Sequence, residues 1–400
     1  EGGYTDVIEG IRFAAERGQI EFTDSAKYHA LLPFLPEDEI RRQIELNRAT
    51  NRQIFGPAYA PVGFFPPEMA YAPNLAPILE DMGYQWIIID EIALNGKVNQ
   101  TDATVLYTIR GTNLLVFFRE RNPSNLIMSA LVRRERDFHE LMGQEYAKHQ
   151  YLITGMDGET FGHHRPGLQK LLTGLLTSTE FDHAFISELP KRFTARREVT
   201  PVVSTWASNE RDIEEGKQFL TWRDEKNEIH AWQWELQRLV LETVKARDPG
   251  DPAVSGARAK LDQALASDHF FWASARPWWS LEVIEAGAWM LLDAIRSVPK
   301  AERETLARAQ DYYQKIIAKT FEWQRTGYIR KIYNEYKEHP RIPFKTRTEE
   351  NREPWVYDAF IALMRQTMRE AAQKENFEEA ILWRDAIWEL DTKNDIYDAI

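Results

Sequence analysis

The chain changes its sequence pattern near residue 205. Before that point, amphipathic stretches typical of helices alternate with short apolar stretches typical of strands, and beyond it strand signals almost vanish. Alternating strands and helices are characteristic of an α/β domain, whereas successive helical stretches form a bundle. We therefore predict an α/β domain over residues 1–205, an α-helical domain over residues 206–345 and a C-terminal helical hairpin over residues 346–400.

Sequence stretches in the first 205 residues can be assigned to elements. "YTDVIEGIRFAAERG" and "LPEDEIRRQIELNRATNRQIFG" predict helices that end at Gly18 and Gly56, since glycine is a common residue at a helix end. We predict strands in "QIEF", "PVGFF", "YQWIIID", "VLYTI", "NLLVFFR" and "QYLITGMDGE", and a strand or helix edge in "DHAFISELP". Strands joined by crossover helices lie parallel, so we expect a parallel barrel or sheet with its chemistry at the strand ends.

Charge and hydropathy exclude several classes of partner. The 50 basic and 62 acidic residues give a net charge of -12, which argues against a phosphate backbone as ligand. No apolar run approaches the roughly 20 residues that cross a bilayer, and the first residues lack the features of a signal peptide. The absence of cysteine is compatible with a reducing or an oxidising compartment. We predict no nucleic-acid or membrane partner and expect a cytoplasmic protein.

Two carboxylates follow predicted strands. Glu68 lies in "VGFFPPEMAY" and Asp157 lies in "LITGMDGETFGHH". Two carboxylates across a cleft can cleave a glycosidic bond, one as nucleophile and the other as proton donor. The alternative interpretations are a solvated loop acid for Glu68 and a turn or helix N-cap aspartate for Asp157.

Three segments resemble conserved regions of glycoside hydrolase family 57. They are "GQIEFTDSAKYHALLPFLPEDEIRRQI", "GFFPPEMAY...LAPILEDMGYQWIIID" and "ITGMDGETFGHH", and the match covers most of residues 5–290 in order. The resemblance implies an incomplete (β/α) barrel followed by an α-helical domain. It also implies a retaining hydrolase or transglycosylase of α-linked glucans that needs no cofactor, with Glu68 as nucleophile and Asp157 as general acid/base. A retaining mechanism requires the two carboxyl groups to lie roughly 5 to 5.5 Å apart.

The resemblance also implies substrate-binding residues. His29 in "KYHALLP" matches a region that lines the sugar site, and "SDHFFW" resembles a motif by which the helical domain closes the cleft. Apart from the resemblance, Glu159, two residues past Asp157 on a predicted strand, is expected to point to the same side and to tune the pKa of Asp157 or bind a hydroxyl, and Trp206 is a second candidate for a stacking wall. The alternatives are a helix-start or loop histidine at position 29 and interdomain packing for the later motif. The predicted substrate-binding set is His29, Glu159, Trp206, Asp268, His269 and Trp272.

Some features leave other interpretations open. Members of the family open with a strand bearing a histidine, glutamine and proline motif that this chain lacks, so we expect a strand and a helix upstream of Glu1. Related barrels include metal-dependent deacetylases and mannosidases, and His163 and His164 are the metal-ligand candidates. Adjacent side chains diverge, so we predict no metal site.

The last alternative is a protein without catalytic activity. "AAQKENFEEAILWRDAIWELDTKN" resembles the small helical hairpins that dock onto partners, so the chain could be a scaffold or a carbohydrate-binding module. The choice among amylase, glucanotransferase, branching and galactosidase activities, and the oligomeric state, stay open at this point.

Overall fold

The strands form one six-stranded sheet. The computed structural model describes residues 5–130, 132–143, 149–180, 182–248, 250–276, 278–338, 345 and 354–391. The strands are β1 (Thr23–Asp24), β2 (Gly63–Phe64), β3 (Trp86–Asp90), β4 (Leu106–Ile109), β5 (Leu115–Arg119) and β6 (Arg196–Val199), in the order β1-β2-β3-β5-β4-β6. β1 pairs parallel with β2, and β2 pairs parallel with β3. This part of the sheet is therefore the α/β arrangement that the sequence predicts.

The other side of the sheet departs from the prediction of parallel strands. β4 and β5 pair antiparallel, with Tyr107 opposite Val116, whereas β4 and β6 pair parallel. The connection between β4 and β5 is a turn that contains Gly111 at φ 81°, and a turn this short cannot make the crossover that parallel strands require. β6 was not predicted, because three of its four residues are exposed and charged and its strand conformation depends on pairing with β4.

Residues 151–157 are not a strand, so the prediction for "QYLITGMDGE" was wrong in that respect. The carbonyl of Ile153 accepts a backbone hydrogen bond from Glu120 at 2.9 Å, but the neighbouring Gly155 is held by side chains. "DHAFISELP" is a helix edge, with a 3-10 turn at Ile186–Glu188 followed by a short helix.

Helices lie before and between the strands and continue after the last strand. Among the described residues before position 215 they are α1 (Thr5–Glu16), α2 (Glu37–Phe55), α3 (Leu75–Asp81), α4 (Arg121–Met128), α5 (Glu135–Met142), α6 (Gln169–Thr177), α7 (Leu189–Arg192) and α8 (Glu210–Glu214). Beyond them lie α9 (Glu228–Lys245), α10 (Pro252–Ala264), α11 (Asp268–Phe271), α12 (Leu281–Arg296), α13 (Arg303–Thr326), α14 (Tyr328–Glu338), α15 (Pro354–Gln373) and α16 (Phe377–Asp391). The described residues beyond position 210 contain no named strand, as the sequence predicts.

Two glycines show how local sequence shapes this fold. Gly327 has a left-handed conformation at φ 72° and ends α13, so α13 and α14 are separate helices. Gly63 in β2 lies against the indole of Trp86, where an added Cβ would come within 2.1 Å of the ring. A side chain at position 63 would therefore push β2 away from β3.

The chain divides into two compact units. The first contains residues 1–118 and 190–336, and the second contains residues 119–189 and 337–400. In the first unit, apolar residues of α9, α10, α12 and α13 share one buried core with those of the sheet and α2. These two units do not coincide with the three domains that the sequence predicts. The predicted domain boundaries at residues 205 and 345 stay a prediction. The polar, proline-bearing segment "HPRIPFKTRTEENREP", which the sequence predicts as a linker, lies almost entirely outside the described residues.

Candidate active site

Glu68 lies in a strained turn just beyond β2. The N–H of Phe65 donates to the carbonyl of Asp24 at 2.8 Å, which continues the β1–β2 pairing, and two prolines follow. Glu68 and Met69 then adopt positive φ angles of 59° and 46° within a 3-10 turn. Positive φ is uncommon for residues other than glycine, and such strain persists only where the surrounding structure imposes it. The Met69 side chain is buried, so it anchors the turn in the protein interior.

The Glu68 carboxylate accepts a hydrogen bond at one oxygen and has a histidine near the other. The indole N–H of Trp206 donates to Oε2 at 2.7 Å, and the Trp206 backbone N–H donates to the Glu68 carbonyl at 3.2 Å. His29 Nε2 lies 3.8 Å from Oε1. The Glu68 side chain is only 15% exposed, so water screens the hydrogen bond from Trp206 little. The arrangement holds a carboxylate in one orientation at the protein surface.

His29 links the Glu68 turn to the helical part of the first unit. Its φ is 57°, and its side chain is 46% exposed. His29 Nδ1 lies 3.3 Å from Ser267 Oγ, and the Ser267 N–H donates to the His29 carbonyl at 3.2 Å. Ala30 and Ala266 form an isolated bridge beside these contacts. The structure therefore brings the "SDHFFW" segment next to the loop that follows β1 and, through His29, near Glu68.

The predicted residues of "SDHFFW" differ in exposure. Asp268 is exposed, and Trp272 is half-buried with its ring centroid 5.5 Å from that of Trp278. His269 is only 2% exposed, and its burial lowers the pKa of the imidazole to about 4. The amide N–H group of Gln233 lies 3.2 Å from His269 Nδ1, so the ring is a neutral core group. It packs against Gly287, where an added Cβ would lie 2.2 Å from the ring.

Asp157 and Glu159 belong to the second unit. Asp157 is exposed and precedes a 3-10 turn, Gly158–Thr160, whose Thr160 N–H donates to the Asp157 carbonyl at 3.1 Å. Glu159 is also exposed, and its carbonyl accepts N–H groups from the two following histidines. The loop that carries Asp157 is held two residues earlier, where the buried Arg119 donates from Nε to the Gly155 carbonyl at 2.6 Å.

The sequence interpretation missed three contributions to these sites. Ser267 was not singled out, and nothing in its sequence context signals a contact with His29. Trp206 was predicted to stack on a sugar, but its indole N–H binds the Glu68 carboxylate. Arg119 ends the apolar strand β5, and a charged residue in that position is a signal that could have indicated a buried anchor.

Within the described ranges, no group of three or more histidine, aspartate and glutamate residues is placed to hold a metal ion. His163 and His164 are exposed, with ring centroids 5.1 Å apart. None of the helices in the described part of the chain has the length and hydropathy of a membrane span.

Comparison with known proteins shows which families this chain is similar to. The model of glycosyl hydrolase family 57 matches residues 4–209, and the UvrB/uvrC motif matches residues 358–392. A 1,4-alpha-glucan branching enzyme of Thermococcus kodakarensis is 30% identical over 161 residues, which are 33% of this chain and 24% of that enzyme. Alpha-amylase 1 of Dictyoglomus thermophilum is 27% identical over 92 residues, which are 23% of this chain and 13% of that protein. The matched regions thus span a quarter or less of these relatives.

Solved structures support the fold. The GH57 branching enzyme of Thermococcus kodakaraensis, solved in complex with glucose and additives, aligns with a TM-score of 0.59 at 18% identity, over 79% of this chain and 74% of that chain. The 4-alpha-glucanotransferase of Thermococcus litoralis aligns with a TM-score of 0.55 at 17% identity, over 74% of this chain and 49% of that chain. The predicted fold class, an incomplete (β/α) barrel followed by an α-helical domain, is confirmed.

Proposed function

The chain belongs to glycosyl hydrolase family 57, and on this premise we propose that it is a retaining glycoside hydrolase or transglycosylase of α-linked glucans. Glu68 is the proposed nucleophile and Asp157 the proposed general acid/base. The observation that carries the proposal is the held carboxylate of Glu68, with Trp206 on Oε2 and His29 near Oε1. A nucleophile must be kept in one orientation toward the anomeric carbon, and the strained turn and its two partners supply that restraint.

The proposed reaction has two displacements. Glu68 attacks the anomeric carbon through one carboxylate oxygen while Asp157 protonates the departing glycosidic oxygen, so that a glycosyl ester forms. Asp157 then removes a proton from water or from a sugar hydroxyl, which attacks the same carbon and releases Glu68. Water gives hydrolysis, and a second glucan chain gives transfer. The activities of the similar proteins, branching and glucanotransfer among them, support keeping both outcomes.

The substrate-binding residues are proposed from their placement. His29, Asp268 and Trp272 lie on or beside the segments that approach Glu68, and each has a side chain that solvent reaches at least in part. Glu159 is proposed to act beside Asp157. Trp206 supports Glu68 as a hydrogen-bond donor, in addition to its predicted stacking. We leave His269 out of the proposed binding set because it is a core residue.

The first prediction tests the two proposed catalytic carboxylates. Glu68→Gln should lower turnover by at least about 10³-fold with little change in substrate binding, because the amide is not a nucleophile. Asp157→Asn should slow the turnover of substrates with poor leaving groups more than that of substrates with good ones, because only a poor leaving group needs a proton from Asp157 to depart. Starch, glycogen, pullulan and small α-galactosides are the substrates to screen, with Glu214→Gln, an exposed acid on α8, as the matched control.

The product configuration completes this test. Proton NMR of the first product should show retention at the anomeric carbon, as expected for a separation of roughly 5 to 5.5 Å between the carboxyl groups. Inversion, or near-normal turnover by Glu68→Gln, would contradict the assignment. Glucan binding without turnover would favour a carbohydrate-binding module, and activity that a chelator removes and a divalent metal restores would favour the metal-dependent alternative.

A further inference from the structure

The C-terminal hairpin of α15 and α16 belongs to the same compact unit as Asp157. That unit contains residues 119–189 and 337–400. The two helices enclose a small core, which we call the hairpin core and which contains the buried residues Tyr357, Phe360, Ile361, Met364, Trp383, Ala386, Ile387 and Leu390. The contacts of this hairpin within its own unit therefore bear on the loop that carries the proposed acid/base.

Leu126 on α4 joins the hairpin core to a second core. This second core, which we call the loop core, contains the buried residues Ile127, Ala130, Val132, Phe138, Leu168 and Leu171. Met156, the residue before Asp157, packs against the loop core, and Leu126 packs against both cores. Apolar contact is thus continuous from the hairpin to the residue next to the proposed acid/base.

An ion pair also joins the hairpin to α5. Arg134, the N-cap residue of α5, donates from Nη1 to Glu370 Oε2 on α15 at 2.7 Å, and from Nε to Asp137 Oδ2 at 2.8 Å. Arg136 Nη2 lies 3.9 Å from Glu370 Oε1. Glu370 therefore faces two guanidinium groups, and a cation in its place would be repelled by both.

The first turn of α4 holds the loop that carries Asp157. The Ser124 hydroxyl accepts the Gly155 N–H at 3.2 Å and donates to the Glu120 carbonyl at 2.6 Å. This loop forms no strand, and Asp157 is exposed. The hydrogen bond at Gly155 and the packing of Met156 therefore contribute to the position of the Asp157 carboxylate.

We propose that the C-terminal hairpin positions Asp157, and that Glu370, Arg134 and Leu126 are positioning residues for the proposed reaction. The proposal rests on the assignment of Asp157 as general acid/base. The hairpin packs on Leu126 and pairs with Arg134, which fixes α4 and α5, and α4 in turn holds Gly155. A general acid must lie within hydrogen-bond reach of the leaving oxygen, so a small displacement of the loop slows the step that it assists.

Amide hydrogen exchange of the full chain tests the positioning without reference to activity. The variants are Glu370→Arg, which reverses the charge on α15, and Leu126→Ala. Their matched controls are Glu378→Arg, an exposed acid on α16, and Leu306→Ala, a partly buried leucine on α13 in the other unit. Glu370→Gln takes the place of Glu370→Arg if circular dichroism shows that the latter does not fold.

We expect the peptide that contains Gly155 to exchange at least about tenfold faster in Glu370→Arg and in Leu126→Ala, because the loop opens more often when the hairpin contact is weakened. The two control variants should leave the exchange of this peptide unchanged. A peptide that contains Glu68 should exchange at the same rate in Glu370→Arg as in the parent chain. Unchanged exchange at Gly155 in both hairpin-contact variants would overturn the proposal.

Turnover of α-glucosides with good and with poor leaving groups is the second measurement. Glu370→Arg should lower kcat for a poor leaving group about tenfold more than kcat for a good one, whereas a general loss of structure lowers both equally. Equal losses, in an enzyme whose Asp157→Asn variant does distinguish the two substrates, would overturn the positioning role. If Asp157→Asn does not distinguish them either, faster exchange at Gly155 still supports the hairpin's hold on the loop, and the assignment of Asp157 as acid/base fails.

Discussion

At the residue scale, the central feature is a carboxylate fixed by a neighbour far away in the sequence. Trp206 donates two hydrogen bonds to Glu68, one from its indole N–H to Oε2 and one from its backbone N–H to the carbonyl. A hydrogen bond from a half-buried indole to a carboxylate stabilises the charge on that oxygen and limits rotation of the group. Trp206 is therefore a positioning residue for the proposed nucleophile.

Removal of the Trp206 indole N–H should separate the effect of its hydrogen bond to Glu68 from the effect of the size of the aromatic ring. Trp206→Phe keeps an aromatic ring and loses the donor, so we expect kcat to fall about tenfold to a hundredfold with a smaller change in KM. Trp279→Phe is the matched control, because the Trp279 indole N–H donates to the Gln324 side chain at 2.8 Å on an exposed surface. Kinetics on an accepted glucan measure both variants. If kcat of Trp206→Phe equals that of Trp279→Phe, the hydrogen bond does not position Glu68.

At the scale of elements, an ion network joins α2, which follows β1, to α10 of the helical part. Arg258 on α10 donates to both carboxylate oxygens of the buried Glu39 on α2, at 2.8 and 2.5 Å, and also contacts Asp262. Arg42 on α2 donates to the carboxylate of Asp262 at 2.7 and 2.6 Å, and Gln43 donates to its carbonyl. The two helices are thus linked by paired charges, and the loss of one partner leaves another buried and uncompensated.

We expect Arg258→Ala to lower the free energy of unfolding by about 3 kcal/mol, because Glu39 would lose its bidentate partner in a buried position. Arg211→Ala removes an exposed pair with Glu215, the residue that follows α8, and should lower the free energy of unfolding much less. Urea denaturation followed by circular dichroism measures both values. Equal losses for the two variants would show that the α2–α10 network contributes no more than a surface ion pair.

At the scale of the whole molecule, two buried histidines make stability depend on pH. Burial lowers the pKa of His230 and of His269 to about 4, against about 6.5 for an exposed imidazole. The Nδ1 atom of His230 accepts the Asp224 N–H at 3.0 Å, and its Nε2 lies 2.9 Å from the Phe270 carbonyl, so the neutral ring is satisfied on both sides. Protonation therefore breaks favourable contacts in the folded state.

The sign of the pH effect follows from proton counting. Between pH 6.5 and about 4 the unfolded chain binds more protons at these two histidines than the folded chain, so stability falls as pH falls through that interval. Each histidine contributes up to about 3 kcal/mol over the whole interval. Urea midpoints at pH 7, 6, 5 and 4.5 should decline, with a smaller slope for His230→Gln and an unchanged slope for the exposed His163→Gln. A midpoint that stays constant down to pH 4.5 would contradict this account.

Local patterns along the chain were enough to predict much of the molecule, because they depend on neighbouring residues. Apolar periodicity predicted the main helices and the strands β2 to β5, and the apolar segment before Glu68 indicated a carboxylate just beyond a strand end. Contacts between distant positions needed the tertiary structure: Trp206 lies 138 residues from Glu68, and Ser267 lies 238 residues from His29. The left-handed turn at Glu68 has no sequence signal either, since neither glutamate nor methionine favours it. The burial of His269 is likewise decided by packing, because Gly287 on another helix makes the space for its ring.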